Sequence, residues 1–151
     1  MKIKTTRFGE IEIDENNVIT FVSPIWGFDK FRKFVLIETS SDNPLLFLQS
    51  LDDEALAFVV VNPQYFRPNY KIEIAKNDLN MLTPGDTEDL VALCIVVIPK
   101  DNPENMTANL KAPIIYDTKK NVAGQFLSLN EEYNVRHKIL EEIRGSKEQD
   151  S

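Results

Sequence analysis

A general base, a reactive thiol and a carboxylate cluster are the side chains from which this chain could build a reactive centre. Each occurs in a setting that argues against one. The 151 residues contain one histidine and one cysteine. His137 lies between Arg136 and Lys138 in a stretch with helical spacing, angled off the apolar stripe. That predicts a solvated surface imidazole rather than a general base. Cys94 lies in the run Leu90–Ile98, apolar on both parities. A reactive thiolate needs an exposed, electropositive setting, so Cys94 reads as a small core hydrophobe. One cysteine cannot form an internal disulfide, and with a single histidine a Cys/His metal cluster is excluded. The acidic runs Asp52-Asp53-Glu54 and Asp86-Thr87-Glu88-Asp89 have adjacent carboxylates, whereas calcium loops need spaced oxygen ligands and usually a glycine. Both read as solvated turns. No phosphate-binding loop, dinucleotide fingerprint or Gly-x-Ser-x-Gly motif occurs. The sequon Asn105-Met106-Thr107 has no secretory context. The inventory predicts a protein that is not an enzyme and needs no cofactor.

What remains is aromatic and amide-rich. In the cluster Ile25-Trp26-Gly27-Phe28 with Phe31 and Phe34, the rings of Phe28, Phe31 and Phe34 read as a plug for the end of a barrel. In Pro63-Gln64-Tyr65-Phe66-Arg67-Pro68-Asn69-Tyr70, Phe66 and Tyr70 flank prolines in a loop and suit either a plug or an interface, where aromatics and arginine are enriched. The net charge of −7 repels phosphate backbones, so direct nucleic-acid binding is not expected. It suits a basic protein partner, though acidity also serves solubility alone. The N-terminus lacks the apolar core of a signal peptide, and Leu90–Ile98 is far too short to span a bilayer. These features predict a soluble cytoplasmic protein with no membrane contact.

The elements that must position these residues are mostly strands. Residues 1–6 and 10–14 alternate around the turn Arg7-Phe8-Gly9 and predict a hairpin, with Ile3 opposite Ile13 and Lys4 opposite Glu12. Further strands are expected at Val18–Val22, Phe34–Glu38, Leu45–Leu51, Ala57–Val61, Tyr70–Ala75, Leu90–Ile98, Ile114–Asp117 and Val122–Leu129. The doubly apolar Leu90–Ile98 should be central. A helical turn is expected at Asn77–Leu82. A C-terminal helix is expected over Glu131–Arg144, capped by Asn130 and ended by Gly145. The fold class is mostly β: a single-domain antiparallel, partly open β-barrel with a short C-terminal helix. The domain covers residues 1–144, with 145–151 a disordered tail.

Several stretches together resemble the FliW family. Arg7-Phe8-Gly9-Glu10-Ile11 looks like the family's opening hairpin, and Gly27-Phe28 with Phe34-Val35-Leu36 like its next segment. Leu46-Phe47-Leu48-Gln49-Ser50-Leu51 is similar to its Leu-Gln-Ser strand. Ala57-Phe58, Asn62-Pro63 and Phe66-Arg67-Pro68-Asn69-Tyr70 resemble the middle. Thr107-Ala108-Asn109-Leu110-Lys111-Ala112-Pro113 is its most specific motif, and Gly124-Gln125 with Tyr133–Arg136 completes it. One departure is Pro24-Ile25-Trp26, where family members usually carry a second glycine.

The resemblance implies a flagellar assembly factor. Such a protein binds the translational repressor CsrA, relieves repression of flagellin messenger RNA, and binds flagellin itself as a cytoplasmic partner or chaperone. It also frames the candidate partner surface: Phe66, Asn69, Tyr70 and Asn109 as contacts, with Glu10, Glu12, Asp14 and Glu15 as acidic steering groups. Gln49, Ser50, Thr107 and Asn109 are expected instead to satisfy buried backbone groups if they face inward. The rival readings are a small-molecule-binding β-barrel, which an interior cavity would favour, a hydrolase or isomerase, and a general chaperone.

Overall fold

The computed structural model describes residues 1–82 and 89–149. The first two strands, β1 (Lys2–Thr5) and β2 (Gly9–Glu12), form the expected hairpin. Its register is two residues tighter than the alternation suggests, with Ile3 opposite Ile11 and Lys4 opposite Glu10. The cause is the turn. Gly9 takes φ +70°, a left-handed conformation that glycine adopts without steric cost. The Thr5 hydroxyl accepts from the Phe8 amide at 2.8 Å and donates to the Gly9 carbonyl at 2.9 Å. The loop is therefore Thr6-Arg7-Phe8, one residue earlier than the glycine alone suggests. Parity is unchanged, so Ile3 and Thr5 still face inward.

The barrel is built from β3 (Ile19–Ser23), β4 (Lys33–Glu38), β5 (Leu46–Ser50), β6 (Ala57–Val61), β7 (Leu90–Val97), β9 (Ile114–Asp117) and β10 (Val122–Gln125). Neighbouring strands pair in the order β7-β6-β5-β4-β3-β10-β9, and β9 returns to β7, which closes the ring. Every pairing in it is antiparallel except β10 with β3. Two short strands, β8 (Thr107–Ala108) and β11 (His137–Lys138), extend the sheet from β7. The doubly apolar run of the sequence becomes β7, which pairs with β6, β8 and β9. Closure leaves the barrel without free edges along its ring.

The interior is filled with side chains. Ile19, Phe21, Ile25, Phe34, Leu48, Val60, Leu93 and Ile114 form one buried cluster. Phe28, Phe31 and Phe58 pack against it. Phe28 meets Phe58 edge to face at 5.0 Å, so the expected aromatic plug is present. A second cluster, containing Phe66, Tyr70, Cys94, Leu110, Phe126 and Tyr133, fills the space under the loops and the C-terminal helix. Cys94 is fully buried, as expected.

Three expected elements differ. Tyr70–Ala75 makes only an isolated bridge, Ile74 to Ser128. The Lys71 amide goes to the Tyr133 hydroxyl instead of to a ladder. The last barrel strand stops at Gln125, beyond which Phe126 and Ser128 donate to the carbonyls of Pro113 and Lys111. The C-terminal helix α2 spans Ile139–Gln149 rather than beginning at Glu131, and Gly145 does not end it. Asn130 does not cap it; its amide donates to Ser128 Oγ. Over residues 133–139 Tyr133, His137 and Ile139 are buried while Val135 is exposed. The apparent helical stripe there is produced by an irregular loop and a two-residue strand. The helical turn expected at Asn77–Leu82 is α1 (Lys76–Met81).

Candidate protein-interaction surface

The polar motif residues are recruited to hold turns. Gln49 is fully buried, and its amide nitrogen lies 3.0–3.3 Å from the carbonyls of Ser50, Asp53, Glu54 and Leu56. Ser50 Oγ accepts from the amides of Asp52 and Asp53. The Leu-Gln-Ser sequence is thus the clamp on the acidic β5–β6 turn. Asn109 Oδ1 accepts from the Ala112 amide at 3.0 Å and shapes the loop before β9. Gln125, buried, accepts from the Trp26 amide at 2.8 Å and donates to the Ala112 carbonyl at 3.0 Å. It ties the Pro24–Gly27 loop to that same segment. The backbone path beside Trp26 is set by this bond and by Gly27, at φ +88°.

A second assembly grows from the loop after β6. Asn62 caps a tight turn over Pro63–Tyr65, with Pro63 at its start, where a missing N–H costs nothing. The Arg67 amide donates to Pro63 O and the Tyr70 amide to Arg67 O. This winding drives Phe66 and Tyr70 inward, to 3% and 4% exposure, and leaves Asn69 outside. Tyr70 stacks on Tyr133 with ring centres 4.8 Å apart. The Arg67 guanidinium lies 5.5 Å from the Tyr133 ring centre and grips Glu142 of α2, at 2.9 Å from Nε and 2.8 Å from a terminal nitrogen. The other Glu142 oxygen meets His137 Nδ1 at 3.0 Å. His137 Nε2 accepts from the Asn134 amide at 2.9 Å. The Asn134 carbonyl in turn accepts from Leu110 and Lys111.

Burial pushes the His137 pKa below its ordinary value; Arg67 acts in the same direction, and Glu142 opposes both. Burial raises the Tyr70 hydroxyl and the Cys94 thiol, with Cys94 and Tyr133 adding to the effect on Tyr70. Both stay protonated, which leaves the thiol inert.

The structure brings Tyr70 and Asn109 into one connected region, through Tyr133, His137 and Asn134. Phe66 and Tyr70, expected as contacts, are instead buried in the core. Asn69 is exposed and Asn109 is half-buried. His137 is not a solvated histidine but a buried hub. Residues 86–88 of the second acidic run lie outside the described residues. Glu10, Glu12, Asp14 and Glu15 are all exposed, on the hairpin and the turn that follows. Glu12 pairs with the N-terminal amine at 3.0 Å, Glu10 lies 3.9 Å from Lys2, and Asp14 caps the next turn. Much of their charge is therefore matched locally. The Thr6 amide donates to Glu54 O at 2.9 Å, which sets the Asp52-Asp53-Glu54 turn beside this hairpin. Those three carboxylates are exposed, and among the described residues they make no ion pair.

Sequence reasoning missed Arg67–Glu142–His137 because no local spacing links residues brought together from a loop, a strand and a helix. Their one signal was Arg67 within the aromatic, proline-rich stretch. The exposed apolar side chains include Trp26 (55%), Leu127 (49%) and Leu129 (58%). Leu129 also borders an open groove of about 430 Å³ with Ile72, Ile74, Leu79 and Leu90. No helix among the described residues is long and apolar enough to cross a membrane.

Comparison with known proteins places this geometry. The family model described as FliW protein matches residues 2–139. The flagellar assembly factor FliW of Alkaliphilus metalliredigens is 41% identical over 150 residues, 99% of this chain and 92% of that protein. The protein of the same name from Thermoanaerobacter pseudethanolicus is 42% identical over 147 residues, 97% of each chain. That of Thermotoga maritima is 38% identical over 142 residues, 94% of this chain and 95% of its own. A crystal structure of the flagellar assembly factor FliW superposes with a TM-score of 0.82 at 32% identity, covering 92% of this chain and 96% of that one. The Leu-Gln-Ser clamp, the Asn109–Pro113 loop and the Gly124-Gln125 tie all fall inside the matched span, and the chain belongs to the FliW family of flagellar assembly factors.

Proposed function

We propose that this chain acts in the cytoplasm as a partner-exchange regulator: it binds the translational repressor CsrA, lifts repression of flagellin messenger RNA, and is itself sequestered by flagellin. The observation that carries the reading is the family match, which is continuous from residue 2 to residue 139. It takes in the whole barrel and every loop described above. The surface is compatible with two protein partners. The Asp52–Glu54 turn, whose carboxylates make no ion pair among the described residues, lies beside the acidic hairpin and supplies a negative field that favours encounter with a basic protein. Trp26, Leu127 and Leu129 supply exposed apolar area of the kind that carries binding energy at interfaces. Asn69 remains the candidate polar contact, with Phe66 and Tyr70 supporting it from below, while Asn109, whose Oδ1 accepts from the Ala112 amide, shapes its own loop.

The rival small-molecule barrel loses ground to a positive observation: the barrel interior is occupied by Phe21, Phe34, Leu48 and their neighbours. The test is calorimetric titration of the purified protein with CsrA and with flagellin, separately and in competition. Saturable binding to each is expected, with flagellin reducing the fraction available to CsrA. Absence of binding to either one refutes the proposal.

A further inference from the structure

The buried imidazole has a defined protonation state. A backbone N–H can only donate, so the 2.9 Å contact from the Asn134 amide requires His137 Nε2 to carry no proton. Nδ1 then carries the hydrogen and donates to Glu142 at 3.0 Å. The groups facing the ring come from several elements. From α2 comes Glu142, whose other oxygen is held by Arg67 from the loop after β6. From the preceding loop comes Tyr133, edge-on with its ring centre 6.2 Å away, and Tyr70 lies stacked on Tyr133. From β8 come Ala108 and Thr107, both uncharged. On its own strand Lys138 is turned outward to Glu141, and Arg136 is exposed. Beyond Asn134, Lys111 is anchored by its ammonium to the Asn130 carbonyl.

We propose that His137 is a proton-operated latch on the Asn109–Pro113 segment, closed when the imidazole is neutral and released when Nε2 takes a proton. Protonation sets two donors against each other, ring N–H against Asn134 N–H, and abolishes that hydrogen bond. The opposite side of the ring keeps its partner, because an imidazolium is attracted more strongly to Glu142. The ring therefore stays on α2 and the loop side lets go. The Asn134 carbonyl is what ties down the Leu110 and Lys111 amides, at 3.1 Å each. Acidification thus loosens the Asn109–Pro113 segment without detaching the helix. The sign follows from burial, which holds the folded-state pKa below the ordinary value of about 6.5. Between those two values the unfolded or unlatched chain binds a proton that the latched chain refuses. The latch is intact above about pH 6.5 and is lost as the pH falls through the lower, folded-state midpoint.

Because the chain has a single histidine, one nitrogen-15 NMR titration of the labelled full chain from pH 7.5 to 4.5 tests this directly. The neutral ring should be the Nδ1–H tautomer and titrate below 6.5. The amide signals of Asn134, Leu110 and Lys111 should move with the same midpoint. Their hydrogen exchange, corrected for intrinsic rates, should accelerate by up to about tenfold per pH unit through the window, the limit for one linked proton. Glu142→Gln keeps an acceptor for the ring but removes the charge that favours the imidazolium, so both midpoints should fall together. An Nε2–H tautomer, amides that stay still while the ring titrates, or a midpoint raised by Glu142→Gln would each overturn the proposal.

Discussion

Replacing Gln125 by leucine should destabilise the fold by about 2–3 kcal/mol, because its amide pairs two backbone groups contributed by different loops. Among the described residues the Trp26 N–H and the Ala112 carbonyl have no other hydrogen bond. A buried polar group left unpaired costs about 1–3 kcal/mol. Ala112 is 1% exposed, so its carbonyl bears that cost in full. Trp26 is 55% exposed, so water can partly replace the lost acceptor, and its amide falls at the low end. The added apolar side chain recovers a fraction. For a chain of this size the melting temperature should fall by about 4–12 °C. Urea denaturation read by far-ultraviolet circular dichroism gives the global value. Fluorescence of the single tryptophan, which lies at the perturbed loop, gives a local one; the m-value should not change. Gln125→Glu is the informative companion. It keeps an acceptor for Trp26 but sets a carboxylate oxygen against the Ala112 carbonyl, so its cost at neutral pH should equal or exceed that of leucine. A Gln125→Leu protein within about 0.5 kcal/mol of the parent, the range of an ordinary surface change, refutes the claim that this amide satisfies both loops.

Gly124→Ala should cost about 1–3 kcal/mol by overpacking. The new Cβ would lie 2.5 Å from the Phe126 ring and 3.0 Å from Ser23 Cβ. Phe126 is buried and cannot swing away, so a lower denaturation midpoint at unchanged m-value is expected. Charge reversal should separate the two acidic neighbours. Glu54→Lys should slow association with CsrA by about two- to fivefold at low ionic strength, an effect that fades by about 0.5 M salt. Glu12→Lys, whose parent carboxylate is already matched by the N-terminal amine, should change the rate less. Stopped-flow mixing at several salt concentrations compares them, and equal effects would count against steering by the unpaired turn.

The sequence was legible where one local rule acted alone. Alternation, a glycine turn and doubly apolar β7 gave the strands their places because each depends on neighbours a few residues away. It was illegible where a polar group of one segment took its partner from another. The Tyr133–Arg136 stretch is the clearest case. Its apolar spacing fits a helix, yet Tyr133 is drawn onto Tyr70, Asn134 onto Leu110 and Lys111, and His137 onto β8. Tertiary bonds outweighed a local preference worth only tenths of a kcal/mol per residue. The hairpin register failed for a smaller reason: the Thr5 hydroxyl, not the glycine alone, set where the turn begins.

The same distinction bears on where a partner can be recognised. Gln49, Ser50, Asn109 and Gln125 stand out in the sequence because they are polar residues within apolar runs, a pattern that suggests binding as readily as structure. All four are engaged by backbone groups of this chain. A side chain already bonded to its own fold gains little by exchanging that bond for one to a partner, and it leaves an orphaned group behind if it does. Specificity for a partner therefore has to reside in residues the motifs hold in place rather than in the motif amides themselves. Exposed positions beside these ties include Trp26 at Gln125, the Asp52–Glu54 turn around Gln49, and Leu127, which follows the buried Phe126. Trp26 and the acidic turn are visible in the sequence as an aromatic and a charge run, but pattern alone does not say what displays them; the buried Gln125 and Gln49 amides, bonded to the Trp26 N–H and to the Asp53 and Glu54 carbonyls, hold them in position.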